Sequence, residues 1–332
     1  MITKKIVVIG GGTGTFTVLS GLKRFRNVEL TAIVSMADSG GCNRILRDDF
    51  GLLPTSDIRQ CLVALVNVNG DGDLWRKLFS YRFDKGVGIS GMTFGNLFMA
   101  ALSDILGSQT EAIKKTGEIL KIKGKILPVS LDDVQLLATY ENDSQIVGEH
   151  FIDEPKKEHN GKLHIKNLKT VPKGKVNSEA VLEIKRADFI ILGPGDLYTS
   201  ILANLVISGL SEAIVNSKAK LLYIVNLMTK YGQTYKMTAS DHAKEIEKYL
   251  GGKKERIDYV IINSGKIKEE ILKKYQKENA DAVYDDLEKT HYKVIKTDLL
   301  SSLLHQKISG DILKRSLIRH DIDKLAKAIL SI

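Results

Sequence analysis

Cysteine is almost absent: Cys42 and Cys61 are the only two in 332 residues. That excludes a disulfide framework and most structural zinc sites. Aromatic residues make up 6% of the chain, with a single Trp, so few rings stand beside the lysines as base-stacking platforms. No apolar run approaches the roughly 18 residues that span a bilayer. The N-terminus enters an apolar strand within a few residues, leaving no room for a signal peptide. Together these absences imply a cytoplasmic protein with no membrane span. No Ser-His-Asp triad, Cys-His pair or zinc quartet can be assembled. His150, His159, His164, His242, His291, His305 and His320 lack metal-ligand spacing, and most read as surface residues.

Charge is what the chain has in excess, at a formal +9. The lysines alternate with Glu and Asp through 153–175, 218–220, 253–277 and 288–296, a solvated surface rather than a nucleic-acid footprint. A net positive field suits a phosphorylated small molecule or an acidic partner. Hydrophobic content of 43% and charged content of 27% are ordinary for a soluble globular chain.

The most informative stretch is residues 5–15. Ile6, Val7, Val8 and Ile9 form a β-branched run typical of a strand buried on both faces of a parallel sheet. Gly10, Gly11, Gly12 and Gly14 follow at once, and Val18, Leu19 and Leu22 recur at helical spacing. Glycine there permits close approach of a ligand to the backbone, while the following helix aims free N–H groups at an anion. Thr15 replaces the third glycine of the dinucleotide fingerprint, and a Walker lysine is missing. Four glycines in five residues exceed what a turn needs, so the loop is read as a phosphate or nucleotide contact.

A second strand at 30–35 completes a β-α-β opening and ends in Asp38-Ser39-Gly40-Gly41, where Asp38 occupies the place of a ribose-binding acid. Residues 57–69, 73–82 and 97–106 read as helices. From about 120 to 178 short strand-like runs at 134–140, 145–152 and 162–171 predict an embedded β-rich subdomain. Buried strands resume at 189–192, 221–225 and 259–262. The expectation is an α/β chain forming one unit over 1–332, with a doubly wound, mainly parallel sheet and the small β-rich insertion at 120–178.

Further ligand-binding segments are expected at strand ends. Gly193-Pro194-Gly195-Asp196-Leu197-Tyr198-Thr199-Ser200 is a second candidate anion cradle, or a turn with N-cap residues. Asn226 can both donate and accept toward a base or sugar. Thr238 and Asp241 fit a helix cap as well as a ligand. Asp57 opens a helix, where an acid is commonly a cap. Arg59 beside it carries a fork that matches phosphate.

The ordered set GGGTG, a strand leading to ADxGG, LP-xx-DIRQCLVAL, GxxxGNL, GPGxLYTS, NxMT, TASDH and IRHD resembles the CofD-like superfamily, and within it the YvcK-type gluconeogenesis factors. The resemblance runs from Lys5 to about Asp321. It implies a Rossmann-like fold. It also implies a regulatory factor that binds a UDP-activated amino sugar of the UDP-N-acetylglucosamine type. Such a factor is linked to gluconeogenic growth, cell-wall precursor metabolism and cell shape. Its implied partners are the UDP-sugar or another nucleotide-activated small molecule, a cell-wall or regulatory protein, and a second copy in a homodimer. The alternative it implies is a Mg²⁺-dependent transferase of 2-phospho-L-lactate type. A plain NAD-binding protein is suggested by the β-α-β opening alone.

Carried over residue by residue, the nucleotide loop falls on Gly10, Gly11, Gly12, Thr13 and Gly14, and the acidic switch loop on Asp38, Ser39, Gly40 and Gly41. Further pocket matches are Asp57, Arg59, Gly95, Asn96, Gly193, Gly195, Tyr198, Thr199, Asn226, Thr229, Thr234 and Arg319. The family's Asp-Asp-Gly-Gly-Ser-Ser-Gly-Arg run is here Asp38-Ser39-Gly40-Gly41-Cys42-Asn43-Arg44-Ile45, and its Gly-His-Ser is Gly91-Met92-Thr93. Pro-Gly-Asp becomes Thr55-Ser56-Asp57. A carboxylate and a histidine are lost, which weakens metal-assisted transfer because hard cations want carboxylate oxygens. Asp38 remains the candidate Mg²⁺ ligand. The expectation is a binder that requires no cofactor rather than an enzyme.

Overall fold

A computed structural model describes residues 3–40, 43, 46–48, 51–67, 70–251, 255–288, 290–303 and 316–332. Ten strands are present among them: β1 (Lys4–Gly10), β2 (Val28–Val34), β3 (Lys125–Pro128), β4 (Gln135–Tyr140), β5 (Gln145–Val147), β6 (Ile165–Val171), β7 (Phe189–Leu192), β8 (Lys220–Ile224), β9 (Tyr259–Asn263) and β10 (Lys293–Thr297). Seven of them form one sheet in the order β10-β9-β8-β7-β1-β2-β3, with every neighbouring pair parallel. This is the doubly wound, Rossmann-like architecture that the alternating apolar runs predict.

Alternate residues of the central strands enter two separate cores, one on each face. Val7 and Ile9 of β1 join Ile190 and Leu192 of β7 on one side. Ile6 and Val8 join Ile191, Leu222 and Ile224 on the other. Both faces of these strands are therefore apolar, which is why they read as continuous runs rather than alternating ones.

The strand order reverses between β1 and β7, which lie side by side at the centre. Connections leaving these two strands diverge to opposite faces and leave a crevice at their carboxyl ends. Both glycine-rich loops follow these strands.

The smaller sheet is antiparallel, in the order β5-β4-β6. Leu136, Ala138 and Tyr140 of β4 and Ile165 and Leu168 of β6 pack into the core that β1 and β7 form on that face. Strand β3 lies upstream of it and pairs with β2 in the large sheet. The segment 145–152 is not one strand: pairing stops at Val147, Gly148 turns the chain at φ 97°, and Glu149–Asp153 is a helix. The expected helix over 57–69 runs instead from Ser56 to Leu65, where Val66 turns away to bridge Ile122.

Helix Gly12–Leu22 is rich in Thr and Gly, poor helix formers. Burial of Val18, Leu19 and Leu22 sustains it. A Cβ added to Gly21 would sit 2.6 Å from the Ile322 carbonyl oxygen and 2.9 Å from Ala326 Cβ in the C-terminal helix Ile322–Leu330. Gly21→Ala should therefore force the two helices apart and cost about 1–3 kcal/mol, read by urea denaturation. Unchanged stability would show that the contact is loose.

Candidate functional site

Gly12 sits at φ 61° and an added Cβ would meet nothing within 4 Å. The other glycines of the loop are closed in. A Cβ on Gly14 would lie 1.7 Å from the Pro194 carbonyl oxygen, and one on Gly11 would lie 2.3 Å from Asp57 Oδ2. The turns after β1 and β7 thus touch backbone to backbone. The Asn204 side-chain amide donates to Gly10 O at 3.3 Å, and the Gly195 N–H donates to Asn226 Oδ1 at 3.2 Å. Gly10–Gly14, Gly193, Gly195 and Asn226 therefore converge on one place at the switch point.

Helix Gly12–Leu22 has no side-chain cap of its own. Asp57 supplies one from another helix, its Oδ1 accepting the Gly12 N–H at 2.9 Å. It does not cap the helix it opens. Burial, followed by the charge of Asp38, pushes the Asp57 carboxyl up to about 7. The next N–H groups, those of Thr13 and Gly14, have no backbone or side-chain partner among the described residues. These are first-turn donors, which favour an anion.

The switch loop is internally braced. Asp38 accepts the Gly40 N–H at 2.9 Å and a second bond from the Asn43 side-chain amide. Asn43 Oδ1 accepts the Thr55 N–H and the Ser56 hydroxyl, and Ser56 accepts from Asn96, whose Oδ1 takes Arg59 Nε at 3.1 Å. Arg59 is buried and also reaches the Phe79 carbonyl at 3.4 Å. Gly95 leaves room for the Phe79 ring and the Arg59 stem, each of which would be under 3.0 Å from a Cβ. This chain joins Asp38 to Arg59 and Asn96 through buried polar groups. Gly41 lies outside the described residues.

The remaining matched residues tie loops together. Tyr198 donates to Ile165 O in the small sheet at 3.4 Å, and burial pushes its phenol up. Thr229 exchanges hydrogen bonds with Asp281, and Thr234 Oγ1 accepts the Lys230 N–H at 2.9 Å. Thr238 and Asp241 form a reciprocal capping box, resolving that choice in favour of the cap. Arg319 is half-buried and adjoins His320, which hydrogen-bonds the backbone of Val225 at the end of β8. His320 and His242 are buried rather than exposed, and burial holds both below the usual imidazole range, His320 at about 4.

Helix Glu149–Asp153, between β5 and β6, brings together a set of groups that the sequence did not point to. Asp153 Oδ1 accepts from Thr199 Oγ1 at 3.1 Å, from Gln233 Nε2 at 3.0 Å and from Lys230 Nζ. Lys230 also reaches Asp196 Oδ2 at 2.7 Å. Burial works against charge at Asp153, but Lys230 outweighs it and holds that carboxyl low. Burial pushes up Asp196, Asp38 and Glu149, the last also facing Asp38, Asp153 and Asp57. Lys230 follows the flagged Thr229, and Asp196 stands inside the flagged Gly-Pro-Gly loop. Glu149 was hidden by reading 145–152 as a strand, and Asp153 lies just beyond that segment.

Among the described residues no three His, Cys, Asp or Glu side chains form a group that could hold a metal ion. Mg²⁺ needs near-octahedral oxygen ligation, and both Asp38 oxygens already accept hydrogen bonds. The described residues around Asp38 therefore form no ready-made group of Mg²⁺ ligands. Two surface hollows, one beside Gly51 and Gln109 and one beside Arg256 and His291, share no residue with the glycine turns. No helix among the described residues is long and apolar enough to cross a membrane.

A parallel sheet with two glycine turns meeting at its switch point defines a doubly wound α/β protein with its binding crevice at the strand ends. A family profile described as 2-phospho-L-lactate transferase CofD matches residues 6–300, and the chain belongs to that family. It is 42% identical over 331 residues to a protein of Thermoanaerobacterium thermosulfurigenes, covering 99% of this chain and 96% of that one. It is 36% identical over 330 residues to the gluconeogenesis factor of Bacillus subtilis, covering 99% and 98%. A crystal structure of a UPF0052-family protein from Bacillus halodurans superposes with a TM-score of 0.87 at 35% identity, covering 99% of this chain and all of that one.

Two outcomes follow for the site. Gly14→Ala should unfold or strongly destabilise the protein, whereas Gly12→Ala should keep the fold at a cost of about 1–2 kcal/mol for the positive φ. Thermal melting separates the two, and equal melting temperatures would contradict the geometry. Asp57 has a folded value above that of the unfolded chain. Its ionisation therefore opposes folding, and stability is lost as pH rises from about 4 through 7. Asp57→Asn should remove that loss. At pH 8 it should be more stable relative to wild type than at pH 5, by on the order of 2 kcal/mol. A pH-independent difference between the two proteins would exclude the buried, ionisable carboxyl.

Proposed function

We propose that this chain is a regulatory binder of a nucleotide-activated sugar of the UDP-N-acetylglucosamine class, acting in gluconeogenic growth and cell-wall precursor supply. The observation that carries the reading is the meeting of the two glycine turns at the switch point, with the Thr13 and Gly14 N–H groups unpaired among the described residues. Backbone donors at a helix start hold phosphate oxygens without a metal. Asn226, fixed by the Gly195 N–H, stands where a base or sugar is read. The gluconeogenesis-factor name of the Bacillus subtilis relative supports a regulatory role. The family description supports the alternative of phospho-acyl transfer, but the hydrogen-bonded Asp38 gives a metal-assisted step little to work with.

Calorimetric titration with UDP-N-acetylglucosamine, UDP, NAD and GTP, with and without EDTA, tests this. The binder takes the UDP-sugar with an affinity that EDTA leaves unchanged, and long incubation consumes no donor. Mg²⁺-dependent release of a nucleotide monophosphate that disappears in Asp38→Ala would replace the binder with the transferase.

A further inference from the structure

Helix Glu149–Asp153 is pinned at both ends across the crevice. At its start the His150 N–H donates to Ser39 Oγ at 3.1 Å. At its end Asp153 is held by Thr199, Gln233 and Lys230. Glu149, the first residue of this helix, faces Asp38, Asp153 and Asp57, yet its carboxyl makes no hydrogen bond or ion pair among the described residues. Asp57 in turn holds the Gly12 N–H, so Glu149 and the glycine turn look onto the same space.

A second group beside it has the same need. Gln233 is fully buried, and its amide nitrogen is directed at Asp153 Oδ1 and Thr199 Oγ1, at 3.0 and 3.4 Å. A carboxylate can only accept, so the NH₂ must face Asp153 and the amide cannot be turned round. That leaves Gln233 Oε1 buried without a partner among the described residues. Unsatisfied buried acceptors are costly and are rarely left so. Among the described residues Gln233 Oε1 is a buried acceptor without a donor, and the half-buried Glu149 carboxyl has no partner.

We propose that the part of the ligand beyond its phosphates is rich in hydrogen-bond donors, hydroxyls and an amide N–H, and is received by Glu149 and Gln233 under the small antiparallel sheet. This rests on the nucleotide-sugar reading and specifies how that ligand is oriented. Phosphates carry only acceptors, so they are repelled from the acidic wall and drawn to the Thr13 and Gly14 N–H groups. A sugar ring has the opposite character and satisfies the wall. The crevice therefore selects polarity along the ligand: anionic end to the glycine turns, donor-bearing end to helix Glu149–Asp153.

The test is calorimetric titration of wild type and Glu149→Gln with UDP-N-acetylglucosamine and with UDP. Gln keeps the shape and removes the ionisable carboxyl, and melting of the variant should be no lower than wild type because a carboxyl leaves an acidic cluster. The preference of wild type for the UDP-sugar over UDP should fall about tenfold in the variant, the scale of one hydrogen bond to a charged group. An unchanged preference, with both ligands still bound, would overturn this inference and leave the nucleotide reading standing. A wild-type protein that binds neither ligand would overturn both.

Discussion

The contact on which the site depends is the one between two glycine turns. β1 and β7 are neighbours in the sheet, so the chain segments that leave them compete for the same volume. Only the missing side chain of Gly14 allows the Pro194 carbonyl to come as close as it does. Because the turns touch, helix Gly12–Leu22 gives its first N–H, that of Gly12, to Asp57 and keeps those of Thr13 and Gly14 for the crevice. Asp57 then fixes that orientation from the neighbouring helix. Each of these features would be lost if either turn carried a Cβ at its point of contact.

The second constraint is electrostatic. Asp38, Asp57, Glu149, Asp153 and Asp196 act on one another across the crevice, with Lys230, its side chain 31% exposed, paired to Asp153 and Asp196, and Arg59 near Asp57. Burying like charges together opposes folding. The arrangement persists because three donors converge on Asp153 and because buried Asn43 and Asn96 brace the switch loop. Strain of this kind concentrates at functional sites. It also leaves two chemistries in the crevice, the Thr13 and Gly14 N–H donors after the Asp57-capped Gly12 and the carboxyl acceptors of helix Glu149–Asp153.

Much of this was legible in the sequence, and the remainder failed for identifiable reasons. β1, β2, β7, β8 and β9 are apolar on both faces and therefore announce themselves, while β3 is four residues long and β10 is only half-buried. The segment 145–152 misled because a three-residue strand, a glycine at positive φ and a five-residue helix together show no period. Both glycine turns could be recognised from composition alone. Asp57 could not: its hydrogen bond spans 45 residues and caps a helix other than its own. Arg59 carried the right chemistry for phosphate, but the fold surrounds it with Asn96 and Phe79. Lys230 gave no signal, because its two partners come from segments 77 and 34 residues away.

The central claim is that the two glycine turns form one anion cradle facing an acidic wall. A crystal structure of the chain soaked with UDP-N-acetylglucosamine tests it most directly. The diphosphate should lie between residues 10–14 and 193–196, with oxygens at hydrogen-bonding distance from the Thr13 and Gly14 N–H groups. A nucleotide ordered elsewhere on the molecule, or one with its phosphates turned toward helix Glu149–Asp153, would contradict the account.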